Sequence, residues 1–200
     1  MSIVASASLN GFFQEVVDGA ARTTRVEMTN GASQYVVLLL SDYAKPGHRA
    51  GETLERPLTF LLNDALTTSN PGEKFERLKT LGDGVLYASG FFGDHFERRG
   101  VDPRYIEGIG KTAYDAASGM LSNHGEGRGL DIFRELAAQF HAIVRVLAEV
   151  ANLTVAKNSR TSQGVLQIYE RWLKTGSESL AQALSEQGVS PVRGVKGTLQ

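Results

Sequence analysis

The chain contains no cysteine. That excludes disulfides, thiolate zinc sites and a cysteine nucleophile, and it fits the reducing cytosol. Excess charge of one sign is missing too, since 21 basic against 22 acidic residues leave a formal net charge of −1. No global field is there to hold nucleic acid or an anionic membrane surface. Long apolar runs are absent: the longest, 35–40, falls far short of the roughly 20 residues that cross a bilayer. The N-terminus shows no basic region followed by an apolar one, so no signal peptide is expected. Together these absences predict a soluble, cytoplasmic protein with no membrane contact.

Catalytic signatures are also lacking. There is no GxSxG elbow, Walker loop or dinucleotide fingerprint. The four histidines, His48, His95, His124 and His141, form no HExxH pair, and none follows a Glu by three residues as a di-iron bundle requires. The pattern implies no metal, no cofactor and no assigned catalytic residue, and it leans against an enzyme.

What is present is core. With 200 residues, 42% of them hydrophobic, the chain can bury an interior without a staple. Helical spacing predominates. In residues 1–30, Phe12, Phe13, Val16 and Val17 predict a short helix over 9–21, followed by a loop. Val26 and Met28 alternate like a strand before Asn30-Gly31, a hairpin turn pair. A hairpin over 23–40 is therefore one reading. A helix over 33–44 with Ser33 as cap and Val36, Leu39, Leu40 and Tyr43 inside is preferred, because a lone hairpin is marginal. After a loop at 45–54, Pro57 opens a helix burying Leu58, Leu61, Leu62, Ala65 and Leu66.

Asn70-Pro71 and Asp102-Pro103 are strong helix starts. The first leads a stripe from Phe75 through Leu78, Leu81, Val85 and Phe92 to Phe96. Glycines at 82, 84, 90 and 93 predict a kink near Gly82–Gly84 or Gly90, and Gly100 ends the helix. The second leads Ile106, Ile109, Ala113, Ala117 and Met120. A loop at 122–129 precedes the cleanest stripe, 132–150. Two shorter helices follow, one ended by Gly176 and one capped by Ser177. The expected fold is an all-α, single-domain bundle of about seven or eight helices with little or no sheet. The divisions are 1–30 for the N-terminal segment, 31–188 for the bundle and 189–200 for a frayed tail.

Two segments, LGDxxLYxSGFF at 81–92 and YERWLxTGS at 169–177, with Tyr105, Gly108, Gly110, Ala113 and Tyr114 between them, resemble an uncharacterised bacterial protein family. The resemblance spans roughly 35–191. It implies a helical bacterial protein and carries no catalytic residues over.

Two clusters invite a functional reading. Phe91 and Phe92, flanked by Gly90 and Gly93 and followed by His95, would suit an interface with a second copy or another protein. The plainer reading packs both rings in the core. Asp83, Tyr87, Tyr105 and Tyr114, among small residues, would suit a ligand pocket between the helices at 71–98 and 103–121. Locally bonded hydroxyls in tight packing are the plainer reading. His141, beside an apolar stripe, is a candidate base or haem ligand, and more commonly a boundary residue with a hydrogen bond. The mildly basic C-terminal part, with Tyr169, Arg171, Trp172 and Lys174, hints only faintly at nucleic acid. A non-enzymatic, self-associating interaction protein, as a homodimer, is the first expectation. A small-molecule-binding helical domain is the alternative.

Overall fold

The computed structural model describes residues 2–45, 55–98, 100–123, 131–158 and 162–191. Among them are nine helices and no strand, so the fold is all-α. The expected loops at 45–54 and 122–129 and the tail at 189–200 lie almost wholly outside the described residues. The chain divides into two compact units, Met1–Ala148 and Glu149–Gln200.

In the first unit, α1 (Ser2–Thr24) is longer than the 9–21 expected. It buries Val16, Val17 and Ala20 and packs on α2 (Asn30–Tyr43). Arg25 ends α1 in the left-handed region with φ 55°, and the Val26 N–H reaches back to the Ala21 carbonyl. Residues 23–40 form no hairpin. Asn30-Gly31 lies in the first turn of α2, whose cap is Thr29 and not Ser33. The reason is a double use of Thr29. Its Oγ1 accepts the Ala32 N–H at 3.2 Å, while its own N–H and hydroxyl donate to the Glu135 carboxylate at 2.8 and 2.5 Å.

Pro57 precedes α3 (Leu58–Thr67) as its cap residue. The expected buried stripe is mostly not buried: only Ala65 is enclosed, and Phe60 and Leu66 are exposed. Asn70 accepts the Glu73 N–H and opens α4 (Pro71–Arg98). The break in α4 falls two residues past Gly90 and not at Gly82–Gly84. The helix departs from helical dihedrals at Phe92 (φ −124°, ψ 19°), and the phase slip leaves Phe92 exposed while Phe96 is buried. Gly100, at φ 70°, follows its end. Asp102 caps α5 (Pro103–Asn123) through the Arg104 N–H.

The expected continuous helix over 132–150 is two helices, α6 (Ile132–Ala138) and α7 (Phe140–Asn158), bent by 85°. Only Gln139 leaves the helical region (φ −103°, ψ 17°). It keeps bonds to the Glu135 carbonyl and from the Ile143 N–H, so the apolar spacing survives the corner. No single described helix is long and apolar enough to cross a membrane.

Gly82 and Gly90 of α4 and Gly110 of α5 are where neighbouring side chains approach most closely. A Cβ at Gly82 would lie 2.5 Å from Tyr114 Cε1, one at Gly90 would strike Leu147, and one at Gly110 would strike Phe140 and Val85. What comes close to these helices is the chain's own core.

The second unit packs α8 (Ser162–Thr175) on α9 (Glu178–Glu186). Its core is Ile168, Trp172, Leu180 and Leu184. Gly176, at φ 65°, turns between the two helices. The buried Glu149 carboxylate accepts from Asn152 Nδ2 at 2.9 Å and Ser177 Oγ at 3.0 Å. The Asn152 Oδ1 accepts the Arg171 Nε–H.

Candidate functional site

The sequence of α4 places Lys79, Asp83, Tyr87 and Phe91 four residues apart, in one row along one face. Opposite this row stand Tyr35 and Tyr43 of α2. Asp83 Oδ1 accepts both the Tyr35 hydroxyl at 2.6 Å and the Tyr114 hydroxyl at 2.7 Å. Asp83 Oδ2 accepts from Lys79 Nζ at 2.9 Å. The same Lys79 ammonium lies 5.7 Å from the centre of the Tyr35 ring. One turn on, Tyr87 stacks on Tyr43 at 4.3 Å and on Phe91 at 4.6 Å between centroids. These tyrosines join α2 to α4 through hydrogen bonds and ring contacts.

A cleft of about 950 Å³ lies between α2, α3 and α4, at the upper end of the range of small-molecule sites. Tyr35, Asp83 and Lys79 sit on its floor, with Leu38, Leu39, Leu61, Leu81 and Tyr43 as apolar wall. Leu38 is 47% exposed. Charged residues ring the opening, among them Arg56 paired with Asp64 at 3.0 Å and Arg77 paired with Glu73 at 2.7 Å.

Burial, and then the Asp83 charge, raise the pKa of Tyr35, Tyr43 and Tyr114 well above that of a free phenol. Burial also raises the pKa of Tyr87 above that of a free phenol. All four stay neutral hydroxyls at ordinary pH. A neutral phenol held on a carboxylate is a donor and a wall, and it supplies neither base nor nucleophile. No group of three or more metal-ligating side chains occurs among the described residues.

The residues singled out from the sequence separate into groups. Asp83 and Tyr114 are bonded to each other, and Tyr87 lies one turn above them. Tyr105 is 52% exposed. His141 is exposed, with Nδ1 2.8 Å from Glu107 Oε2, a hydrogen bond between α5 and α7. The space between α4 and α5 is filled by the Tyr114 ring against Gly82, so the cleft opens on the other side of α4. Phe91 is half-buried on Tyr87, and Phe92 is 43% exposed. The side chain of His95 lies outside the described residues, as do those of Lys157, Arg160, Arg193 and Lys196. Of the C-terminal aromatic and basic set, Trp172 is buried and Arg171 is bonded to Asn152.

Sequence reasoning missed Tyr35, Tyr43, Lys79 and Leu38. The available signals were slight: Lys79 and Asp83 at i, i+4, and two tyrosines eight residues apart on α2. No family model matches the chain, and no curated protein or solved structure is significantly similar to it. The resemblance of the 81–92 and 169–177 segments therefore adds no residue roles.

Proposed function

We propose that this chain is a small-molecule-binding helical protein whose ligand occupies the cleft between α2, α3 and α4. One observation carries the reading: an apolar wall, with Leu38 left nearly half exposed, stands over a floor of satisfied polar groups. Large apolar side chains facing a concave space are the usual mark of a site that is covered when occupied. The neutral tyrosines suit recognition rather than bond-breaking. A cytoplasmic setting fits the lack of cysteine.

Nile red, an uncharged dye that brightens in apolar surroundings, tests this. Its emission is expected to rise on binding the protein and to be lost in Leu38→Arg. Leu38 is exposed, so that variant folds. Equal emission from Leu38→Arg would show that the dye binds elsewhere and would remove the cleft as the site.

A second reading, self-association as a homodimer or docking of another protein, is favoured by the exposure of Phe92 beside the Tyr87–Phe91 stack.

A further inference from the structure

We propose that the cleft selects an organic cation with an apolar body, such as an alkyl- or arylammonium compound. This rests on the cleft being a ligand site and names the class of its ligand. The argument is charge bookkeeping within the cleft. Each cation of the described lining already has a carboxylate: Arg56 holds Asp64, Arg77 holds Glu73, and Lys79 holds Asp83. Among the described residues, an anionic ligand would compete with one of these pairs for its cation.

Carboxylates, by contrast, are in surplus. Asp42 pairs with Lys45, which is not part of the lining. Glu76 lines the cleft and has no ion pair among the described residues. A cation entering beside Glu76 breaks nothing. Leu38 and Leu61 then accept the apolar remainder.

Calorimetric titration with three probes of one chain length separates the possibilities: n-octyltrimethylammonium, n-octyl sulfate and 1-octanol, each below its micelle or solubility limit. The ammonium is expected to bind at least about five-fold more tightly than the sulfate, as one partly exposed ion pair allows. Glu76→Gln, at an exposed helix position that leaves the fold intact, should weaken the ammonium about three- to five-fold and leave 1-octanol unchanged. Added salt should weaken the ammonium only.

Sulfate binding as tight as the ammonium, with loss of both in Leu38→Arg, would overturn the cation selectivity and keep the cleft. Ammonium binding insensitive to both Glu76→Gln and Leu38→Arg would overturn the proposed site. Failure of all three probes to bind would overturn both readings.

Discussion

Tyr114 shows how one residue ties packing to the site. Its ring is fully buried, its edge rests where Gly82 has no side chain, and its hydroxyl is fixed on Asp83. The ring can neither rotate away nor retreat. Gly82→Ala is therefore expected to destabilise the protein by about 1–3 kcal/mol, the usual cost of overpacking, and to disturb the Asp83 cluster. Gly108 is the contrast. It lies in α5 with no heavy atom within 4 Å of a would-be Cβ. There Gly108→Ala should stabilise by up to about 1 kcal/mol through helix propensity. Urea unfolding of the two variants checks both signs. Two destabilising results, or two neutral ones, would break the link between close approach and the role of these glycines. The sequence showed that something approaches this row of small residues. It did not show that the visitor is a tyrosine from 32 positions further along.

The elements differ in how far local signals could find them. Asn70-Pro71 and Asp102-Pro103 carry their caps within the sequence, and α4 and α5 begin where those pairs predict. The corner at Gln139 was invisible because its hydrogen bonds continue the helical pattern on both sides. The cap of α2 was misplaced because Thr29 owes part of its role to Glu135, 106 residues away. The cleft between α2, α3 and α4 carries little signal in the sequence for the same kind of reason. Tyr43 reads as part of an apolar stripe and Tyr35 as the first residue of an apolar run, and only the contacts of α2 with α4 turn them into a bridge. That bridge has a pH signature. Burial and the Asp83 charge raise the pKa of Tyr35 and Tyr114 in the folded state. The unfolded chain releases those protons near pH 10. Above that, the folded state binds more protons than the unfolded one, so stability falls as pH rises. Each such tyrosine contributes a slope of up to about 1.4 kcal/mol per pH unit. Urea unfolding between about pH 9 and 11 should therefore show a shallower decline in Tyr35→Phe than in the parent chain. Equal slopes would mean that Tyr35 ionises alike in both states.

At the scale of the molecule, one exposed ring stands at a break in a core helix: Phe92 of α4. The break at Phe92 turns that ring outward, although the spacing of α4 alone would have buried it with Leu78, Val85 and Phe96. Helix propensity does not account for a large apolar residue presented at such a corner, and burial against a second copy would. With a net charge of only −1, long-range repulsion does not oppose such contact. A stable dimer needs about 800 Å² buried on each protomer, more than one ring supplies, so Tyr87 and Phe91 would have to contribute. Phe91 is also stacked within the protomer, so its replacement confounds folding with association. Phe92 is the cleaner probe. Sedimentation velocity at tens of micromolar is expected to give a dimer for the parent chain and a shift toward monomer for Phe92→Ser. The melting temperature of that variant measured at high dilution should stay within about 2 °C of the parent's, because an exposed ring contributes little to the monomer's own stability. A monomeric parent chain, or a Phe92→Ser variant that sediments unchanged, would remove this face from any homodimer.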